Sequence, residues 1–382
     1  MRNRRYLNNI LGLGFVLLLG GFTLANLLHQ DVKFSDTENR MLEQRPVFSL
    51  TELMDGRFMT DFEKYQTDQF AFRDQWIRFQ TAADRLLGKN KSGDVYLGKD
   101  QLFEEPSGIR AGTRKNLKAI GSFSGHYPGV RSYLMLVPDA ASVQKEGLPA
   151  YAPVEDQEKQ LEKIGNYLEK REEPVMEIPL YETLREHKDE YLYYWSDHHW
   201  TTRGAGYAYE KMAEVMGLPG AENRADSMEK QLYPVTDSFQ GTLSARSGYQ
   251  VPDDTIEVYW PEQEEELVVT YVQEQIKSAS LYASEKLDTK DKYGMFLNGN
   301  HSLTEIRTMA STGRKLLLVK DSYANCLVPF LTGDFEEIVL VDPRYYYDSL
   351  DQLMEQYDFT DVVFLYNLNT FLEDDVLHDV LG

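Results

Sequence analysis

Lys315-Leu-Leu-Leu-Val-Lys-Asp-Ser-Tyr-Ala324 runs an uninterrupted apolar stretch into a polar corner. Residues 315–319 show no alternation and are too few for a helix, so they read as a strand buried on both faces. The polar corner then opens a helix predicted over 323–331. A strand covered on both faces needs parallel neighbours, and the flanking sequence supplies them. Downstream, strands are predicted at 338–341 and 362–365, with helices at 350–357 and 371–381. Upstream come a helix at 111–123, a strand at 132–137, an amphipathic helix at 156–170, a strand at 174–178 and a short helix at 180–187. The expected fold is α/β, a largely parallel sheet flanked by helices and joined by right-handed crossovers.

Other segments depart from that rhythm. Residues 95–104 read as a hairpin turning at Gly98-Lys99-Asp100. Residues 226–290 are strongly charged, with β-like stretches at 255–260 and 267–272, and read as an inserted β-rich subregion. Residues 49–87 carry Phe58, Phe62, Tyr65, Phe70, Phe72, Trp76 and Phe79 at helical spacings, which predicts a helical region with its aromatics in a core. Three parts are expected: an N-terminal signal anchor or transmembrane segment at 1–30, a juxtamembrane linker and aromatic-rich helical region at 31–94, and a main α/β domain at 95–382.

Arg2, Arg4 and Arg5 precede an apolar run from Ile10 to Leu28, close to the ~20 residues that span a bilayer. Basic residues ahead of such a run hold the N-terminus in the cytoplasm and place the rest of the chain outside. An uncleaved single-pass anchor is expected, with a cleaved signal peptide as the alternative. A net charge of -22 argues against nucleic acid, whose phosphates need a basic footprint. The single cysteine, Cys326, excludes an internal disulfide. A hydrophobic content of 42% is enough for a packed core, which argues against wholesale disorder.

The densest chemistry lies in Tyr193-Tyr-Trp-Ser-Asp-His-His-Trp-Thr-Thr202, just before a helix capped by Thr201 or Thr202 and stopped by Gly217. Asp197 and His199 are two residues apart, so an extended segment turns them to one side and His198 to the other. A carboxylate beside an imidazole can orient it as a general base. Ser322, at the strand-to-helix corner, is the candidate nucleophile, with helix N-terminal N–H groups available to a developing oxyanion. Three plainer readings compete: Ser322 as a helix cap, the two histidines as satisfied structural residues, and a metal hydrolase using Asp197, His198 or His199, and Asp321. Adjacent histidines that diverge make shared ligation awkward. No cofactor and no metal is expected.

The Asp197-His-His-Trp200 segment resembles the signature of the bacterial DHHW protein family, related to the AlgX/AlgJ alginate O-acetyltransferases and so to the SGNH-hydrolase-like proteins. The resemblance extends to Glu38-Asn-Arg40, Gly98-Lys-Asp100 with Leu102-Phe103, Phe239-Gln-Gly-Thr-Leu-Ser244, Asp291-Lys-Tyr293 with Phe296-Leu-Asn-Gly-Asn-His301, and Asp321-Ser-Tyr323. It implies a triad of Ser322, His199 and Asp197. Because Asp and His precede Ser, it also implies a circularly permuted SGNH-like sheet. Asn367 then falls where an oxyanion asparagine is expected, and Arg344, Tyr323 and Asn300 become candidates for substrate contact.

The function implied is serine-dependent O-acyl transfer, with acetyl the expected group, to or from a surface polysaccharide or cell-wall glycan. A membrane-bound O-acyltransferase partner is expected to supply the acyl group, and transfer is favoured over esterase action. The alternative is a non-catalytic glycan-binding or assembly protein of an exopolysaccharide system. The Lys320-Asp321 pair before the serine leaves that open, since an inward Asp321 would repel an oxyanion.

Overall fold

The computed structural model describes residues 2–35, 40–171, 173–218, 228–261 and 266–382. The Glu38-Asn-Arg40 resemblance falls largely outside the described residues, as does the start of the 226–290 insertion.

Residues Asn90–Ser244 and Gln250–Gly382 form one compact unit. Its centre is a sheet of eight strands: β1 (Arg131–Val137), β2 (Val175–Glu177), β3 (Val268–Tyr271), β4 (Ile276–Ser278), β5 (Leu303–Arg307), β6 (Lys315–Lys320), β7 (Glu337–Val341) and β8 (Asp361–Asn367). They lie in the order β4-β3-β5-β7-β6-β8-β1-β2. The run β7-β6-β8-β1-β2 is parallel throughout. Strands β5, β3 and β4 extend it antiparallel from the β7 edge. Counted from β6, the parallel part has the doubly wound order 2-1-3-4-5, but the chain enters it at the fourth strand. This is the permuted arrangement. The point where the winding reverses lies between β6 and β8, and in open α/β sheets ligands bind beyond the carboxyl ends of the strands at such a point.

The side chains of the parallel strands divide by parity. Leu316, Leu318, Ile338, Leu340, Val363, Leu365, Tyr133 and Met135 pack on one face. Leu317, Val319, Val339, Val341, Val362, Phe364, Leu134 and Leu136 pack on the other. All are buried, each contributing about 1.5–3 kcal/mol relative to exposure. The helices Ala111–His126 and Gln157–Lys170 cover the second face. The helix Thr202–Met216 covers the first, with Ala205, Ala208, Tyr209 and Met212 turned inward. Thr201 caps it by accepting the Gly204 N–H, and Gly217 ends it at φ 60°.

Three expectations need correction. The helix expected at 323–331 is a 3-10 turn, Ser322–Cys326, followed by the short helix Val328–Leu331. Pro329, inside that stretch, lacks the N–H a continuous helix would use. The helix expected at 371–381 is two pieces, Leu368–Glu373 and Leu377–Val380, split where Asp374 Oδ1 accepts the N–H groups of Val376 and Leu377. Within 226–290, Leu232–Phe239 and Asp254–Tyr259 form a separate antiparallel ribbon, whereas β3 and β4 join the main sheet.

Residues Met1–Lys89 with Ala245–Tyr249 form the second unit. It contains the helix Arg2–Leu28, of which Asn9–Leu28 is long and apolar enough to cross a membrane. The helices Leu50–Met54, Arg57–Asp68 and Arg73–Leu86 come next in the chain. Their aromatics are not a buried core, contrary to expectation. Phe70, Phe72, Trp76 and Phe79 are exposed, and Phe58, Phe62 and Tyr65 are half-buried in a ladder of ring contacts. Three short helices enclose too little volume to bury so many rings.

Candidate active site

Strand β6 delivers Ser322 to the carboxyl edge of the sheet at the reversal point. Asp321 caps the turn that begins there, accepting the Tyr323 N–H at 2.9 Å on one oxygen and the Asn367 N–H at 2.9 Å on the other. Burial raises the Asp321 pKa, against Arg344 and these two amides, which lower it. Both oxygens are therefore engaged by backbone of the serine turn and of β8. Among the described residues no acceptor is found for the Ser322 N–H.

The segment carrying Asp197 and His199 is a tight loop closed by a bridge between Tyr193 and Trp200. Two buried anchors hold its ends. Trp200 Nε1 donates to the Tyr323 carbonyl at 2.8 Å, tying the loop to the serine turn. Asp254 accepts four donors: Tyr191 Oη at 2.5 Å, Trp195 N at 2.7 Å, Ser196 N at 2.8 Å and Ser196 Oγ at 2.5 Å. Asp197 Oδ1 accepts the His199 N–H at 3.0 Å, a local turn in which a short carboxylate side chain stands in for backbone.

His199 joins the two stretches. Its Nδ1 lies 2.5 Å from Asp197 Oδ1, and its Nε2 lies 2.8 Å from Ser322 Oγ. The other Asp197 oxygen accepts Thr242 N at 2.7 Å and Thr242 Oγ1 at 2.9 Å. Burial opposes ionisation of Asp197, but the two imidazoles and these bonds outweigh it and hold the carboxyl well below its usual range. Burial, with the His198 ring beside it, pushes His199 down to about 4. A neutral imidazole facing an ionised, acceptor-only carboxylate carries its proton on Nδ1, so Nε2 accepts from the serine hydroxyl. Tyr293 stacks on the imidazole at 3.8 Å and 13°, and its hydroxyl donates to the Ser322 carbonyl at 3.1 Å.

The remaining candidates go elsewhere. His198 does not face away: its ring lies 3.9 Å from that of His199, and Nδ1 is 2.8 Å from Thr242 Oγ1. The loop bends at these positions, so strand-like alternation does not apply. Tyr323 is buried and braces the loop, its hydroxyl donating to the His198 carbonyl, so it is a support and not a substrate contact. Asn367 sits at the end of β8, but Nδ2 donates to Asp139 Oδ1 at 2.5 Å and Oδ1 accepts the Thr370 N–H. The amide expected to face the oxyanion is thus held by a helix cap and a buried acid. Asn300 joins Lys320 and Asn325, and the buried Lys320 ammonium is pushed down to about 8. Arg344 grips Asp342 through two nitrogens, at 2.9 and 2.6 Å, and lines a cavity of about 550 Å³ that His198 also lines. Asp197, His198 and His199 bring metal-ligand atoms within 4.8 Å of one another, yet both ring nitrogens of His199 already have partners.

A family model described as DHHW protein matches residues 130–341, more than half of the 382 residues. The chain belongs to the DHHW family. Among solved structures, a DHHW family protein from Eubacterium siraeum is 23% identical with a TM-score of 0.60, the match covering 75% of this chain and 97% of that one. PatB1 from Bacillus cereus, solved with a sulfonyl adduct, is 19% identical with a TM-score of 0.60, covering 74% and 97%. The O-acetyltransferase domain of Pseudomonas putida AlgJ is 16% identical at a TM-score of 0.46, covering 75% and 94%. The first two likenesses speak for the shared fold. No curated protein matches the sequence.

Several site residues of this DHHW protein had no individual role readable from sequence. Thr242 and Tyr293 lay inside family-like stretches with no function attached, and Asp254 was one acid among many. Each acts on residues 29 or more positions away in the chain. The one local signal was Gly241, where a Cβ would run into the Asp197 carboxylate.

Proposed function

We propose that this DHHW protein is an extracytoplasmic, serine-dependent O-acyltransferase that moves an acyl group, acetyl by preference, onto a hydroxyl of a surface polysaccharide or cell-wall glycan. One observation carries the reading: a single buried imidazole bridges the Asp197 carboxylate and the Ser322 hydroxyl at hydrogen-bonding distance on both sides. Neutral His199 Nε2 takes the Ser322 proton as Oγ attacks the acyl carbonyl of the donor. The tetrahedral oxyanion forms opposite the Ser322 N–H. On collapse the donor's ester bond breaks, and its leaving oxygen takes the proton from His199. The acceptor hydroxyl then gives its proton to Nε2, attacks the acyl-serine, and releases Ser322 Oγ, which recovers the proton. Asp197 stabilises the imidazolium at each half-reaction.

The helix Asn9–Leu28, at 1.5 Å per residue, is about 30 Å long and would anchor the protein with its site outside. Donor supply falls to a membrane-bound O-acyltransferase partner. The test uses a serine-directed sulfonyl fluoride, chosen because PatB1, which shares the fold, was solved with a sulfonyl adduct. Mass spectrometry should find one adduct, on Ser322, absent from Ser322→Ala and retained in Ser311→Ala, at an exposed serine outside the cavity. No adduct at any pH between 6 and 9 would leave the glycan-binding reading in its place.

A further inference from the structure

The hydrogen bonds around Thr242 fix which nitrogen of His198 donates. Thr242 Oγ1 has one proton, and Asp197 Oδ2, an ionised acceptor, takes it at 2.9 Å. His198 Nδ1, 2.8 Å from the same oxygen, must therefore donate. When the ring is neutral its proton is therefore on Nδ1, and Nε2 presents a lone pair. Among the described residues no group bonds Nε2. The side chain is 25% exposed, and it lines the 550 Å³ cavity with Glu104, Arg344, Asn369, Thr370 and Asp374. His198 thus belongs to two places at once, packing on His199 at 3.9 Å and facing the cavity.

We propose that this cavity is the acceptor site, and that His198 Nε2 accepts a hydrogen bond from a sugar hydroxyl adjacent to the one that attacks the acyl-serine. The proposal rests on the acyl-transfer reading above and adds the acceptor's chemistry: a neutral glycan presenting neighbouring hydroxyls. The His198 ring lies 3.9 Å from that of His199, so a hydroxyl bound at His198 sits beside the base that deprotonates its neighbour. A sugar held in the cavity keeps its hydroxyl beside His199 at a high effective concentration, which favours transfer over hydrolysis. His198 exchanges no proton: the attacking hydroxyl loses its proton to His199, the acyl–Oγ bond breaks, and the acyl–sugar ester forms.

The test separates two half-reactions in the full-length protein in detergent. 4-Nitrophenyl acetate reports acylation through its nitrophenol burst. Neutral gluco-oligosaccharides compete with water for the acyl-enzyme, and the product ratio reports the acceptor step. His198→Phe, which keeps a ring, and His198→Gln should both acylate within about threefold of the parent. His198→Phe should lower the ratio of transfer to hydrolysis by about tenfold, the worth of one lost hydrogen bond of roughly 1.4 kcal/mol, and His198→Gln, whose side-chain oxygen still accepts, by less. An unchanged ratio in His198→Phe overturns the proposal. So does a parallel fall of acylation and transfer, which would make His198 merely a brace for Asp197 through Thr242. A parent that acylates but transfers to no oligosaccharide overturns the acceptor site alone. A parent that never acylates overturns the function beneath it as well.

Discussion

Asp254→Asn tests whether the loop bearing Asp197 and His199 is held by the ribbon beneath it. The native carboxylate is fully buried and receives four donors, two on each oxygen. An asparagine keeps one acceptor oxygen and replaces the other with an NH2 group, so two donors face a donor. Each buried donor left without an acceptor costs about 1–3 kcal/mol. Part is offset, because burial already raises the Asp254 pKa and the amide removes a buried charge. The net loss should be about 2–4 kcal/mol, visible as a fall in the urea midpoint. The loop would also loosen around Ser196, whose Oγ holds the Gly241 N–H at 2.8 Å and so the turn that braces Asp197. A displacement near 1 Å at a reacting group costs about 100-fold, so the nitrophenyl acetate burst should slow by roughly 10- to 100-fold. Asp253→Asn, at the exposed neighbour, serves as control and should shift stability by about 0.5 kcal/mol at most. Parental burst rates in Asp254→Asn, with or without lost stability, would refute the claim that this carboxylate positions the loop.

Three further outcomes are expected. Gly241→Ala puts a methyl group into the Asp197 carboxylate, so it should cost about 1–3 kcal/mol of stability and slow acylation by at least tenfold, while Gly129→Ala, in open space, should do neither. With His199 lowered to about 4, acylation should be flat above about pH 6 and fall as pH approaches 4, as the base becomes protonated. Stability should change in the same sense: the unfolded histidine, near 6.5, binds protons that the folded one refuses, so stability is full above about 6.5 and declines toward 4. The lowered Asp197 extends that decline further into acid. Thermal midpoints from pH 4 to 8 check the stability statement, and an acylation bell centred near pH 6.5 would contradict the one on acylation.

The parallel strands were legible because burial on both faces leaves a mark that needs no partner to read. Leu316 to Val319 and Val362 to Leu365 are apolar at every position, since each residue meets a core whichever way it points. The helix Thr202–Met216 was legible for a similar reason, its cap and its stop being local. The serine turn was not. Its geometry is set by Asp321 reaching the backbone of β8, 46 residues away, and no periodicity records that. Strands β4 and β5 escaped notice because they are short and half-exposed, so their apolar pattern is weak.

The same division explains which site residues could be named in advance. Asp197, His199 and Ser322 belong to residue types with few reasons to cluster, so the Asp-His pair and the strand-end serine drew attention separately. What joins them is a set of buried acceptors and donors that look ordinary in sequence: Asp254 under the loop, Thr242 behind the carboxylate, the Tyr323 carbonyl receiving Trp200, and Tyr293 against the imidazole. Asn367 and Tyr323 were misjudged for the converse reason. Their positions at strand ends suggest contact with substrate, but a buried acid and a bent loop had prior need of their hydrogen bonds. A polar side chain at the reversal point of such a sheet faces substrate only once the local backbone and buried charges are satisfied without it. By that criterion the Ser322 N–H and His198 Nε2, each without a described partner, are the groups left for substrate.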